Sequence, residues 1–271
     1  MLADHYDAFL LDLDGTLYRG EEPIPGAAEA VHRLHAAGQG VCFLTNNSGR
    51  TRRAIADKLN GFGIEAEADE VVSSALATAA LLAERGVRRV YPVCGDGLLE
   101  ELGRVGIEIA EEVPDGGAPT GVEVVVVGWH RTATYDRLKT ACLLVERGAL
   151  LVASNADASF PAPDGLWPGA GALLALITTT TEAVPEIVGK PNAPLFQAAL
   201  ASTGGSAPLV VGDRLDTDIA GAAALGWDTL LVYSGIAQPG DAERLGVSPS
   251  YAADDLSALF SDPEPPRFGG P

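Results

Sequence analysis

Residues 7–20 read DAFLLDLDGTLYRG, and this stretch determines the expected fold. Its apolar run, residues 8–11, has the pattern and length of a buried strand, and it ends at two carboxylates, Asp12 and Asp14. Side chains two positions apart on a strand point the same way, so both acids are predicted to project beyond the strand's carboxyl end. Open α/β sheets bind their ligands at that edge.

Two carboxylates held close together repel each other in a partly desolvated cleft, and a divalent cation or a shared proton relieves the repulsion. Mg²⁺ is the expected cation, because it prefers oxygen ligands. The alternative is that Asp12 and Asp14 only begin a turn, since Asp-Gly is a common turn dipeptide. The rest of the chain favours the cation site.

Composition limits the classes of function. The chain has 271 residues, 47% of them apolar, which is enough for one large or two medium domains. Its 37 acidic and 18 basic residues give a formal charge of −19, which argues against nucleic acid or an anionic membrane as a partner.

With no signal peptide and no apolar run of about 20 residues, the sequence predicts a cytoplasmic protein. Its three cysteines lie in apolar segments and are predicted to be buried thiols: Cys42, Cys94 and Cys142.

A second strand, predicted at residues 41–44, leads into a cluster of hydroxyl and amide groups that begins with Thr45, Asn46 and Asn47. A helix is predicted to follow. Small polar side chains at a helix amino terminus bind phosphate oxygens well. An ordinary N-cap with an Asx-turn is the alternative, and it would use one or two of these residues.

The middle of the chain repeats the strand and helix alternation from about residue 76 to 181, which predicts an inserted domain with a core of its own. Residues 155–171 are predicted to form long polar loops, where ligand contacts concentrate, followed by a helix at 172–178. Trp167, in this stretch, is predicted either to face a substrate or to pack between domains.

A third acidic cluster follows the strand predicted at 208–212, and the last strand is predicted at 229–233, after a helix at 219–225. Because parallel strands end at one edge, six side chains are predicted to share a cleft: Asp12, Asp14, Thr45, Asn46, Lys190 and Asp213. They offer the nucleophile, the cations and the donors that phosphoryl transfer requires. Nucleotide-driven chemistry and hydride transfer are disfavoured, because the chain has no Walker loop and no GxGxxG motif.

Four motifs in a fixed order carry a family resemblance: DLDGT at 12–16, FLTNNS at 43–48, GKP at 189–191 and VGDRLDTDI at 211–219. The chain resembles phosphatases of the haloacid dehalogenase superfamily, in the nitrophenylphosphatase and phosphoglycolate phosphatase (NagD-like) branch. The resemblance implies an α/β fold with a Rossmannoid core and a parallel sheet, at residues 1–76 and 182–260. It also implies an inserted α/β cap at 77–181. The composition of residues 261–271 predicts a flexible tail.

The resemblance implies a role for each matching residue. Asp12 would attack phosphorus to form an aspartyl-phosphate, and Asp14 would protonate the leaving oxygen and later activate water. Phosphoryl oxygens would be held by Thr45, Asn46, Asn47 and Lys190, and Lys190 would also act in catalysis by neutralising charge between Asp12 and the transferring group. Mg²⁺ would be bound by Asp12, the Asp14 carbonyl and Asp213, with Asp218 behind them and Asp216 not a ligand.

The expected partner is a small phosphorylated metabolite, with glycerol 3-phosphate or 2-phosphoglycolate favoured. Nucleoside monophosphates stay open, and Phe160 stands where relatives acting on pyridoxal phosphate have histidine, which makes that substrate less favoured. A phosphomutase and a non-catalytic phosphometabolite-binding protein are the rival classes. Relatives often pair through the cap, which suggests a homodimer, although the apolar run 122–127 equally fits an interior strand of the cap sheet.

Overall fold

The computed structural model describes residues 1–112, 117–162 and 164–269. The strands are β1 (Ala8–Asp12), β2 (Tyr18–Arg19), β3 (Glu22–Pro23), β4 (Gly40–Thr45), β5 (Val71–Ser73), β6 (Arg89–Val93), β7 (Glu108–Ile109), β8 (Val124–Val127), β9 (Leu150–Ala153), β10 (Ser159–Ala162), β11 (Gly165–Pro168), β12 (Glu186–Ile187), β13 (Pro208–Gly212), β14 (Asp228–Val232) and β15 (Tyr251–Ala253). The helices are α1 (Ala27–Ala36), α2 (Arg52–Gly61), α3 (Ser74–Glu84), α4 (Asp96–Arg104), α5 (Tyr135–Glu146), α6 (Ala170–Thr181), α7 (Ala193–Thr203), α8 (Ala220–Ala224) and α9 (Asp241–Leu245).

The chain divides into two compact units. The first unit comprises Met1–Thr45, Arg52–Val72 and Lys190–Pro271, and the second comprises Asn46–Thr51 and Ser73–Gly189. The second unit therefore takes in a short segment after β4 that the sequence analysis assigned to the core. The domain boundaries derived from the sequence stay a prediction of how the protein is organised.

The first unit is built on a six-stranded sheet with the order β15-β14-β13-β1-β4-β5. β1 lies near its middle and runs parallel to both neighbours, with Leu11 opposite Val211 on β13 and Phe43 on β4. Its apolar residues are fully buried, because a parallel strand with neighbours on both sides and helices over its faces has no contact with water. The strand that opens the chain therefore fixes the centre of this unit.

The second unit has its own five-stranded sheet, in the order β12-β9-β8-β6-β7. Each pair of neighbouring strands in it is parallel, and the valines of β8 are buried between β6 and β9. Tyr91, Val125 and Ile177 belong to a separate apolar core in this unit. The two sheets confirm the predicted α/β class with parallel strands.

Two local predictions were wrong. The predicted loops at 155–171 contain an antiparallel hairpin of β10 and β11, and α6 begins at Ala170 rather than at 172. The strand predicted as last, now β14, is followed by α9 and β15, which extends the first sheet by one strand. The missed elements, β10, β11, α9 and β15, have three to five residues each, too few for hydrophobic periodicity to reveal them. In addition, the helix predicted at 219–225 starts as a π-helical turn at Leu215–Ile219.

The carboxyl-terminal segment 261–271 is not loosely attached over its described residues. The Arg267 guanidinium donates to the Asp228 carboxylate at 3.2 Å and lies over the ring of Tyr251, 5.2 Å from its centroid. Glu264 also pairs with the amino terminus of Met1 at 3.0 Å, and Phe268 N–H donates to the carbonyl of Ser250 at 2.9 Å. The composition argument missed these contacts because a few side chains and backbone groups can anchor a Pro- and Gly-rich segment. Residues 270–271 of the predicted flexible tail lie outside the described residues.

Two further sequence predictions concern single features. Cys42, Cys94 and Cys142 are buried free thiols, as predicted. Burial raises the pKa of Cys42 and of Cys94 to about 12, so both remain protonated near neutral pH. Among the residues described, no helix is long and apolar enough to cross a membrane.

Asp228 joins the first unit to its carboxyl-terminal segment. Its carboxylate accepts hydrogen bonds from the hydroxyls of Tyr6 at 2.8 Å and Ser250 at 2.7 Å, in addition to Arg267. Burial alone would raise the pKa of Asp228, but these hydrogen bonds outweigh it, and the pKa lies below its ordinary value of 3.8.

We expect Asp228→Asn to lower the melting temperature at pH 7 by about 2–5 °C, because charge-assisted hydrogen bonds are lost. A carboxyl whose pKa is lowered in the folded state contributes stability above its unfolded pKa and loses it as pH falls through the folded pKa. Thermal unfolding followed by circular dichroism should therefore show a lower melting temperature for the variant at pH 7, and a smaller difference from the wild type below pH 3.8. The exposed Asp254→Asn is the control, and a deficit independent of pH would contradict the electrostatic account.

Candidate active site

Three strand ends of the first unit place the candidate catalytic groups. Asp12 is the last residue of β1, Asp213 follows the end of β13, and Thr45 closes β4 on the other side of β1. The in-register parallel pairing puts these ends on one edge of the sheet, as the sequence predicted. The site therefore rests on backbone geometry that is fixed by the buried strands.

A buried ion-pair network forms the centre of the site. The Lys190 ammonium, with only 4% of its side chain exposed, contacts the Asp12 carboxylate and donates to Asp218 Oδ1 at 2.6 Å. Asp218 is fully buried, and its second oxygen accepts the backbone N–H of Arg214 at 3.2 Å. Burial by itself lowers the pKa of Lys190, but the two carboxylates outweigh it and raise the pKa, so the ammonium stays charged.

Asp213 contributes a third carboxylate. Its Oδ2 accepts the backbone N–H of Ile236 at 2.7 Å, whereas its buried Oδ1 has no hydrogen-bond partner within the described part of the chain. Burial and the nearby Asp218 raise the pKa of Asp213 to about 6. Burial also raises the pKa of Asp12 well above its usual value, although Lys190 opposes the shift. An unpaired buried carboxylate oxygen is the kind of group that a cation satisfies.

The donor set fits a divalent metal ion. One oxygen each of Asp12, Asp213 and Asp218 can be chosen so that all three lie within 4.8 Å of one another. Lys190 supplies one positive charge to these three carboxylates, which leaves the cluster two charges negative when all are ionised. Hard oxygen ligands with excess negative charge are the environment that Mg²⁺ prefers.

Glycines allow the backbone to approach these carboxylates. A Cβ atom on Gly15 or on Gly235 would overlap the Asp213 carboxylate, and one on Gly212 would overlap that of Asp218. Gly15 also has a φ of +90°, a conformation that L residues rarely adopt. Gly212 at the end of β13 and the two loop glycines thus let the backbone lie directly against Asp213 and Asp218.

Asp14 lies on the loop that leaves β1. Its side chain reaches solvent. Loss of hydration nonetheless raises the pKa of Asp14, with Gly20 and the positive charge of Lys58 opposing the shift. A carboxyl with a raised pKa at the mouth of a carboxylate cluster is suited to exchanging protons with a substrate.

The predicted phosphate-binding residues belong to different units. Thr45 is buried at the end of β4 in the first unit, whereas Asn46 and Asn47 cluster with the second. Asn47 Oδ1 accepts the backbone N–H of Gly49 at 2.9 Å, as in an Asx-turn, and Asn46 Nδ2 donates to Asp157 at 3.3 Å. The phosphate contacts of these three residues stay a prediction.

Three residues of uncertain role have contacts inside their own unit. Asp216 forms a two-pronged ion pair with Arg214, at 2.8 and 3.1 Å, and its oxygens are not part of the carboxylate cluster. The indole N–H of Trp167 donates to the Asp164 carboxylate at 2.7 Å. The ring of Phe160 packs against the indole of Trp129, with 4.9 Å between the ring centroids. These contacts explain local packing and leave the substrate-facing interpretation of Trp167 as a prediction.

Sequence reasoning missed the contribution of the segment after β14. The Ser234 hydroxyl donates to the carbonyl of Gly15 at 2.7 Å, and the backbone of Ile236 binds Asp213. The available signal was position alone, because Ser234 and Gly235 also follow a strand end. Backbone donors carry no residue signature, so the sequence could not assign them.

Comparison with known proteins identifies the family. A model described as haloacid dehalogenase-like hydrolase matches residues 9–108, and a related hydrolase model of the same superfamily matches residues 187–259. An acid sugar phosphatase from Staphylococcus saprophyticus is 36% identical over 263 residues, which cover 96% of this chain and 99% of that protein. The chain belongs to the haloacid dehalogenase-like hydrolases. The family predicted from the four motifs is thereby confirmed.

Solved structures agree with this hydrolase family. A glycerol phosphate phosphatase from Mycobacterium tuberculosis, in complex with magnesium, superposes with a TM-score of 0.87 at 35% identity, covering 95% of this chain and 77% of that one. A thermostable NPPase from Geobacillus stearothermophilus superposes with a TM-score of 0.85 at 34% identity, covering 93% of this chain and 97% of that one. The predicted fold of this branch is confirmed over nearly the whole chain.

We expect Gly235→Ala to weaken Mg²⁺ binding about 10-fold or more, because the added methyl group displaces the Asp213 carboxylate. Isothermal titration with Mg²⁺ in the absence of substrate measures the affinity directly. Gly103→Ala is the matched control, since a Cβ there meets open space. Unchanged Mg²⁺ affinity in Gly235→Ala would show that Asp213 does not bind the metal.

Proposed function

We propose that this hydrolase cleaves small phosphate monoesters with Asp12 as nucleophile and Mg²⁺ as cofactor. The protein is a phosphatase: relatives at 34–36% identity over nearly the whole chain are phosphatases, and one of them is in complex with magnesium. The observation that supports the assignment of Asp12 is its carboxylate, held against the buried Lys190 ammonium in a three-carboxylate cluster.

The proposed substrates are phosphate esters of small hydroxylated molecules. Two relatives are named glycerol phosphate phosphatase and acid sugar phosphatase, which favours glycerol 3-phosphate and sugar phosphates. 2-Phosphoglycolate stays in the proposed set, and nucleoside monophosphates and pyridoxal phosphate are less favoured. The values of kcat/KM for phosphate release rank these esters.

The proposed reaction has two steps. Asp12 attacks phosphorus, the bond to the ester oxygen breaks, and the Asp14 carboxyl gives its proton to the departing oxygen. Asp14, now ionised, then takes a proton from a water molecule, whose oxygen attacks the aspartyl-phosphate and releases inorganic phosphate and free Asp12. The solvent-accessible Asp14 on the loop after β1 fits a group that exchanges protons in both steps.

Charge repulsion is the main obstacle to the first step, since a carboxylate must approach a phosphate dianion. Lys190 reduces the repulsion because its ammonium contacts Asp12 itself, and Asp218 fixes that ammonium in place. Bound Mg²⁺ would supply further positive charge, with Asp12, the Asp14 carbonyl and Asp213 as the proposed ligands. The occupied oxygens of Asp218 favour a supporting role behind these ligands.

Several parts of the proposal rest on the family resemblance and the sequence. Thr45, Asn46 and Asn47 would bind phosphoryl oxygens, and residues 77–181 would act as a cap. A cytoplasmic location and a homodimer formed through the cap are likewise proposed. The second unit's own sheet and core support a cap that folds as a unit.

The test is Mg²⁺-dependent phosphate release from a panel of phosphorylated metabolites. We expect Asp12→Asn to abolish release, and Lys190→Met to reduce kcat about 10²-fold or more, because each removes a group needed for the attack. Chelation of the metal should stop phosphate release by the wild-type enzyme. Lys139→Met, which changes an exposed lysine of the second unit, serves as the control. Full activity of folded Asp12→Asn would overturn the nucleophile assignment.

A further inference from the structure

We propose that Arg19 is a positioning residue for Asp213, and that it acts through the backbone of Ser234. The inference rests on the proposed function, in which Asp213 is a ligand of Mg²⁺, and it adds a residue that sets the affinity for that ion. All three residues belong to the first unit, and none of the four sequence motifs contains Arg19 or Ser234.

The Asp213 carboxylate is held in place by one of its two oxygens. Oδ2 accepts the backbone N–H of Ile236 at 2.7 Å, and it is the first atom that a Cβ on Gly15 or on Gly235 would meet. Two glycine backbones and one N–H therefore surround Oδ2. The buried Oδ1 has no hydrogen-bond partner among the residues that the structure describes, so the orientation of the carboxylate leaves this oxygen for a cation.

The two backbones that hold Oδ2 come from separate loops. Gly15 lies on the loop that leaves β1, whereas Gly235 and Ile236 follow β14. Neither glycine has a side chain that could anchor its loop by packing. The side chain of Ile236 does not bury itself either, since 67% of this residue is exposed. The approach of both loops to Asp213 therefore depends on hydrogen bonds between them.

Ser234 supplies those hydrogen bonds. Its buried hydroxyl donates to the carbonyl of Gly15 at 2.7 Å, and its own carbonyl accepts the Nε–H of Arg19. Both partners belong to the segment that leaves β1, so Ser234 ties the loop after β14 to that segment twice. Further along the same loop, the Ala237 N–H donates to the backbone carbonyl of Asp213 at 3.1 Å.

The bond from Arg19 acts on Gly235 because the peptide unit is planar. The carbonyl of Ser234 and the α-carbon of Gly235 lie in one peptide plane, so an N–H that fixes this carbonyl also fixes the position of Gly235. Gly235 is the residue whose backbone lies against Asp213 Oδ2. Arg19 is thereby connected to the metal ligand through a single peptide unit.

The consequence concerns which ions the site accepts. Mg²⁺ demands nearly ideal octahedral geometry, whereas Ca²⁺ tolerates flexible arrangements of oxygen ligands. A carboxylate that is held less firmly should therefore bind Mg²⁺ less well, with a smaller effect on Ca²⁺. The charge of Arg19 acts in the opposite direction, because a nearby positive charge repels both ions and its removal alone should strengthen both.

The experiment measures Mg²⁺ and Ca²⁺ affinity separately by isothermal titration of the full chain without substrate. Arg19→Met should weaken Mg²⁺ binding about 5-fold or more and Ca²⁺ binding about 2-fold or less. Arg19→Gln should retain most of the Mg²⁺ affinity, because its amide nitrogen is as many bonds from the backbone as Arg Nε and still donates. Both variants lack the charge, so their difference isolates the hydrogen bond.

Two further variants calibrate the measurement. Asp213→Asn sets the full size of the loss of Mg²⁺ affinity. Arg244→Met is the matched control, since it removes the charge of another arginine of the first unit whose side chain is 67% exposed, and it should bind both ions as the wild type does.

The outcomes separate the inference from the proposed function. If Asp213→Asn binds Mg²⁺ as tightly as the wild type, Asp213 is not a ligand, and the inference fails with that part of the proposed function. If Asp213→Asn weakens binding but Arg19→Met changes neither affinity, lowers both equally or raises both, Arg19 is not a positioning residue. A loss in Arg19→Met that is selective for Mg²⁺ and absent in Arg19→Gln supports the inference.

Discussion

The contact of the buried Lys190 ammonium with Asp12 and Asp218 is the interaction on which the site depends. Three carboxylates could not sit so close together without a countercharge, because each would be driven to protonate. Removing one partner of a buried ion pair typically costs about 3–5 kcal/mol, since the other charge is left uncompensated. The network therefore offsets part of the desolvation that raises the pKa of Asp12, and it leaves negative charge for a divalent cation.

The parallel sheet of the first unit makes this interaction possible. Asp12 and Asp213 are two hundred residues apart in the chain, yet β1 and β13 are adjacent and in register. The glycines that face Asp213 complete the arrangement, because any side chain at Gly15 or Gly235 would overlap the carboxylate. The rigid strands position the acids, and the glycines in the adjoining loops let the backbone lie close to the carboxylates.

The hairpin after β1 adds a second layer to the site. The carbonyl of its turn residue Gly20 accepts a hydrogen bond from the Lys58 ammonium at 2.7 Å, so a residue outside the recognised motifs supports this hairpin. A cation enclosed by two aromatic rings and a carbonyl resists movement more than a solvated lysine does. The hairpin that follows β1 is thereby held against α2.

The amount that sequence could predict varies with the kind of feature. The sequence predicted β1, the acids at its end and the fully buried strands around it, because buried strands have a clear apolar pattern. The hairpin of β10 and β11, and β15 near the chain end, were missed because they are short and partly polar. The tail was expected to be flexible, but Arg267 binds Asp228, and Glu264 and Phe268 make further contacts with the first unit.

The sequence by itself determined the family, the α/β class and the identity of the acids and of Lys190, because ordered motifs and strand ends are local properties of the chain. Only the tertiary structure decided which groups meet. The pairing of Lys190 with Asp218, the donation from Ile236 to Asp213 and the enclosure of Lys58 all join distant segments. Such contacts depend on packing and on backbone groups that every residue shares, so no local pattern records them.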